Sequence, residues 1–192
     1  MVKETSAVAT YPRPAQPLEL YEFQGCPFCK RVRECLVTLD LDAIYYPCPR
    51  DGPNWRPKAV AEGGKKMFPL FRDPNTGVSM YESADIVAYL AKTYGDGTIP
   101  AGLDWPVAPA LLGFALLPRL GRGSKYRRSR VTADTKPLTL WAYEASPFCV
   151  VVREALCELE LPHLLKTAAR GSPKRQQLLE QTGTFQVPYL EE

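Results

Sequence analysis

A stretch of 25 residues beginning at Pro17, PLELYEFQGCPFCKRVRECLVTLDL, returns 120 residues later as PLTLWAYEASPFCVVVREALCELEL. Pro17, Leu18, Leu20, Pro27, Phe28, Cys29, Val32, Arg33, Glu34, Leu36, Leu39 and Leu41 all recur at the shifted positions. With a one-residue gap, KKMFPLF then lies over TFQVPYL. A period this long points to two copies of one small folding unit rather than a solenoid. It predicts a tail over 1–16, a first unit over 17–96, a connector over 97–136 and a second unit over 137–192.

Each copy opens on alternating residues (Leu18, Leu20, Phe23; Leu138, Leu140, Tyr143), the period of a strand. Helical spacing follows, through Phe28, Val32, Cys35, Leu36 and Leu39 and again through Phe148, Val152, Ala155, Leu156 and Leu159, predicting a core-facing stripe in each. In the first copy AIYYPCP predicts a strand, PKAVAEGG a helix ending at glycine, and FPLFRDPNTGVSMYE a hairpin about Pro-Asn-Thr-Gly. SADIVAYLAKTYG closes the unit as a helix with Ser83 as its expected N-cap. The order is β-α-β-α-β-β-α. After VPYLEE the second copy has no sequence for the hairpin's return strand or the last helix, so it is expected to be C-terminally incomplete. Between the copies, VAPALLGFALLP predicts a helical connector and PRLGRGSKYRRSR a solvated basic linker.

Six cysteines in 192 residues, with no secretory signal, predict a reducing intracellular compartment and a chemical use for any close pair. A net charge of +3 is too small to predict nucleic acid as a partner. The longest apolar run is short and broken by proline, so no transmembrane segment is expected and the protein should be soluble. The first residues, MVKETSAVATYPRP, do not read as a transit peptide.

The close pair is Cys26-Pro-Phe-Cys29. Proline is favoured at the first helical position, which makes Cys26 the N-cap. Its sulfur then meets unpaired backbone N–H groups and the positive end of the helix dipole, both of which favour thiolate. Cys26 is the expected nucleophile, exposed at the strand–helix junction, and Cys29, one turn deeper, the resolving thiol. A zinc site would need two more ligands at definite spacing, and Cys35, Cys48, Cys149, Cys157 and His163 form no second CxxC or CxxH. Cys35 and Cys157 fall on apolar helix faces, Cys48 reads as a buried strand cysteine, and His163, after Pro162, as a surface residue. No metal is expected.

A strand leading into CPFC, an apolar residue before proline and an acidic-Ser pair opening a helix together resemble the thioredoxin-like fold of glutaredoxins and of glutathione transferase N-terminal domains. The duplication is similar to a plant and algal plastid family of paired thioredoxin-fold proteins, which implies a chloroplast location. The resemblance implies a cis bond at Phe68-Pro69, with the Phe68 backbone pairing with the cysteine of glutathione. It implies that Glu82 meets the ligand's ammonium and Ser83 its γ-glutamyl carboxylate, at a helix N-terminus suited to anions. In the second copy Ser146, Cys149, Val187 and Pro188 occupy the corresponding positions.

These readings imply a glutathione-linked thiol–disulfide oxidoreductase acting on disulfide or glutathionylated proteins, with glutathione as co-substrate. Ser146 stands where the first copy has Cys26. It is either a retained N-cap or, as in serine-type glutathione transferases, a hydroxyl that would bond a glutathione thiolate. The first makes the second copy non-catalytic, a site for structural pairing or partner recognition. The alternatives for the whole chain are a glutathione transferase-like activity and a non-catalytic scaffold or assembly factor, with a protein partner on the second copy or the basic linker. A CPFC-type domain can also bridge an iron–sulfur cluster between two subunits with glutathione, which an absorbance spectrum after anaerobic purification would test.

Overall fold

A computed structural model describes residues 6–104, 110, 119 and 121–192. The first half runs β1 (Leu18–Glu22), α1 (Pro27–Thr38), β2 (Ala43–Pro47), α2 (Trp55–Gly63), β3 (Leu70–Asp73), β4 (Val78–Met80) and α3 (Ser83–Tyr94). The second half repeats its opening as β5 (Leu138–Ala142), α4 (Pro147–Glu158), β6 (His163–Thr167), α5 (Lys174–Thr182) and β7 (Tyr189–Glu191). The local signals explain the elements. Pro27 and Pro147 open their helices, and Gly64 and Gly183 end α2 and α5 at φ 74° and 73°. The Pro-Asn-Thr-Gly turn joins β3 to β4, and Asp73 secures it by accepting from Asn75 and, at 2.6 Å each, from the hydroxyls of Tyr89 and Tyr94 on α3. That anchor ties the turn to the middle and the end of α3.

Among the described residues the seven strands form one mixed sheet in the order β4-β3-β1-β2-β6-β5-β7. Within each half the first two strands are parallel, and the halves join where β2 meets β6 antiparallel. The register at the join is Ala43 to Leu165, Ile44 to Leu164 and Tyr45 to His163. Under the 120-residue shift the central pair maps onto itself and the two outer pairs exchange, so the join has the two-fold form of an isologous interface centred on Ile44 and Leu164. Either strand alone would present an open edge of N–H and C=O groups, and each closes the other.

Alternation divides the side chains between two layers. Leu18, Leu20, Ala43, Tyr45 and Phe71 from the first half share one buried cluster with Leu140, Ala142 and Leu165 from the second, under α1, α3 and α4. Trp55 and Ala59 of α2, and Leu178 of α5, cover the opposite face over Tyr21 and Trp141. Two carboxylates stitch the halves across the join. Asp40 accepts from Ser172 Oγ at 2.7 Å and pairs with Lys174 at 3.4 Å. Its repeat counterpart Glu160 accepts from the backbone N–H groups of Asn54 and Trp55 and from Asn54 Nδ2 at 2.7 Å, which caps α2 from the other half.

Three expectations are corrected here. Phe28 and Phe148 are 50 % and 72 % exposed instead of core, because each stands in the first turn of its helix. Ala155 is also exposed, on a helix face that α3 covers in the first half. The segment 121–130 keeps its basic side chains largely exposed, but its backbone is docked. Arg50 N–H donates to Ser124 O, Tyr126 N–H to Arg50 O, and Gly123 N–H to Glu158. The expected helical connector at 107–118 lies outside the described residues. Among the described residues no helix is long and apolar enough to cross a membrane.

Candidate active site

Cys26 takes the N-cap of α1 at φ −90° and ψ 120°, and its sulfur accepts from the Cys29 N–H at 3.2 Å. The Cys29 thiol, opposed by burial and helped by this N–H, holds the Cys26 thiol below its ordinary value. Cys29 is pushed well above its own, first by burial and then by Cys26. The two thiols are therefore shifted in opposite directions, the cap thiol down and the deep one up. One expectation fails: Cys26 is 3 % exposed, not open at the junction. The loop carrying Phe68 comes down on it, bringing the Phe68 carbonyl to 3.9 Å from Sγ. Phe68 is itself braced by an edge contact with Phe23 and by the Arg56 guanidinium 4.5 Å from its ring centre.

The Phe68–Pro69 bond is cis, as is Val187–Pro188. Phe68, Pro69, Glu82 and Ser83, assigned above by resemblance, line one open cavity of about 160 Å³ with Phe28, Met67 and Tyr81. That is below the ~300–1,000 Å³ of sites that engulf a ligand. Ser83 is the first residue of α3 and buried, and Glu82 is the N-cap, a correction to the expected cap. Glu82 sits at φ 65° and ψ 108°, a conformation costly for a residue with a Cβ and characteristic of binding sites. It turns the chain so that the N-terminus of α3 faces the cavity. Met67, Tyr81 and the Glu82 backbone carry no sequence signal that singles them out.

In the second half Ser146 caps α4, accepting from Cys149 N–H at 3.3 Å, and both are buried. Val187 and Pro188 are half-buried, with Val187 packed over Trp141 and Leu178. Cys35, Cys48 and Cys157 are buried as expected. His163, expected at the surface, is buried against Tyr45 at the join, and burial lowers its pKa to about 4. Among the described residues no group of three His, Cys, Asp or Glu side chains could hold a metal.

The family model of the glutathione S-transferase N-terminal domain matches residues 20–98 and 140–192. The chain belongs to this family. The two matched segments fall on the two halves of the repeat, the first running through α3 and the second through β7. Among solved structures, a glutathione transferase of the silkworm Bombyx mori, BmGSTD1, is similar at 27% identity over 44% of this chain and 38% of its own, with a TM-score of 0.39. A structure of the same transferase in complex with GTT is similar at 27% identity over 44% and 39%, with a TM-score of 0.39. This chain thus spans about two fifths of that transferase's length. No curated protein matches the chain.

Proposed function

We propose that this member of the family is a glutathione-linked thiol–disulfide oxidoreductase working through Cys26. The observation that carries the reading is the division of the CPFC thiols, with Cys26 capped and held low and Cys29 buried and held high. A disulfide or glutathionylated protein approaches by the cavity rim. The Cys26 thiolate attacks one sulfur, forming a mixed disulfide and expelling the other sulfur as a thiolate, which takes up a proton. Cys29 gives up its proton and displaces the second thiol, leaving a Cys26–Cys29 disulfide. Two molecules of glutathione then reduce that disulfide and leave as glutathione disulfide. Phe68, Pro69, Glu82 and Ser83 hold the glutathione, with Ser83 and the α3 N-terminus on its carboxylate and Glu82 on its ammonium. The setting is a reducing compartment, and by resemblance the plastid.

The test is turnover of a glutathionylated peptide by wild type and single variants. Cys26→Ser removes activity entirely, whereas Cys29→Ser retains a monothiol reaction resolved by glutathione. Full activity in Cys26→Ser would sink the reading. Family membership favours one competitor, transfer of glutathione to an electrophile, in which Ser146 is the active hydroxyl. That reaction would survive Cys26→Ser and be lost in Ser146→Ala.

A further inference from the structure

Beneath the dithiol lies a buried set of charges drawn from both halves. Glu22 ends β1, Arg33 lies on α1, Glu144 precedes α4 and Arg153 lies within it, and none is more than 3 % exposed. Arg33 contacts both carboxylates. Its Nη1 donates to Glu22, Nε to Glu144 Oε2 at 3.2 Å and Nη2 to Glu144 Oε1 at 3.3 Å. Arg153 closes the set, with Nη2 2.9 Å from Glu144 Oε2 and Nε donating to Gln24 Oε1 at 3.3 Å. Arg33 stands one helical turn past Cys29, where i and i+4 side chains are neighbours, and Glu22 and Gln24 lead directly into Cys26.

We propose that Glu144 and Arg153 of the second half are positioning residues for the dithiol of the first, setting the electrostatic potential at Cys26 through Arg33. The inference rests on the reading of Cys26 as the nucleophile. Two carboxylates and two guanidiniums leave the buried set with no net charge, and salt does not screen charges at this depth. Removing either partner from the second half leaves one whole charge uncompensated in the buried set to which Glu22 and Arg33, the two charges that act on Cys26, belong. After the Cys29 thiol, burial and the Cys29 N–H, Glu22 and Arg33 are the next influences on Cys26, in opposite directions. The other groups facing the set are unchanged in every variant below. Lys30 lies 3.6 Å from Glu144 and 3.4 Å from Glu34, Cys157 Sγ accepts from Gln24 N–H, and Tyr45, Cys48 and His163 feel the charges of the set from β2, its end and β6. The repeat makes the asymmetry plain: the first half has Gln24 where the second has Glu144, so the second half supplies a carboxylate that the first lacks.

The experiment follows iodoacetamide labelling of Cys26 against pH in the full chain carrying Cys29→Ser, with circular dichroism confirming the fold. Glu144→Gln moves the labelling midpoint down by about half a unit to one unit, and Arg153→Gln moves it up by a similar amount. Arg153→Lys, which keeps the charge and loses the fork, stays with the parent, and the balanced double Glu144→Gln/Arg153→Gln returns close to it. Midpoints that do not move, or that move the same way in both single variants, overturn the inference. So does an Arg153→Lys midpoint displaced as far as that of Arg153→Gln. Should Glu144→Gln not fold, Arg153→Gln against Arg153→Lys decides alone. A midpoint at the ordinary value of about 8.5 in the wild-type chain, which keeps the Cys29 thiol, defeats the oxidoreductase reading instead. A low parent midpoint that the variants leave in place defeats only this inference.

Discussion

His163 shows what one side chain contributes when the join between halves buries it. Its Nδ1 lies 3.1 Å from the Leu161 carbonyl, so the proton belongs on Nδ1, and Nε2 faces no donor. Protonating Nε2 would place an unpaired charge in the core, which is why its pKa falls to about 4. The unfolded chain takes up that proton near the ordinary value of about 6.5 and the folded chain does not. Stability is therefore whole above pH ~6.5 and declines as pH falls from there through about 4, by roughly 3 kcal/mol from this group. His163→Leu should flatten the dependence of melting temperature on pH across that window, and an unchanged slope would show that other groups carry it. Nothing in Pro162-His163 announces this burial, because the ring's neighbour, Tyr45, is far away in the sequence and belongs to the other copy.

Individual elements were legible because their signals are local: alternation for β1 and β5, proline at the start of α1 and α4, and Pro-Asn-Thr-Gly between β3 and β4. What one copy does to the other was not. The N-terminus of α2 is capped by Glu160, and the Trp55 indole donates to the Glu160 carbonyl at 2.8 Å, yet the two stretches share no motif that would pair them. Ser83 illustrates the same limit at short range, since a serine before an apolar stripe reads as a cap until the backbone at Glu82 turns the chain one residue earlier. Glu160→Ala leaves the N–H groups of Asn54 and Trp55 without their acceptor and should cost about 2–3 kcal/mol in denaturant unfolding. Glu160→Gln, which keeps an oxygen in place, should lose less than half as much. Equal losses in the two variants would mean that the carboxylate packs but does not cap.

On the scale of the whole molecule, one sheet and the largest apolar cluster run through both halves, and only the smaller clusters under α2 and α5 belong to one half each. Unfolding should be a single transition. Single-tryptophan variants reporting from Trp55 in the first half or Trp141 in the second should melt at the same midpoint, and two separated midpoints would show independent units. The self-matching register of β2 on β6 has a further consequence. In an assembly of two identical chains, every substitution at such a seam is made twice, and a side chain that helps one partner must be tolerated by the other. A duplicated chain is released from that rule. It can set Gln24 against Glu144, Asp40 against Glu160 and Asn54 against Lys174, giving each side of the seam its own vocabulary. Divergence of labour between the halves, one keeping its leading sulfur and the other exchanging it for a hydroxyl, is open to a molecule that carries its partner within the same chain.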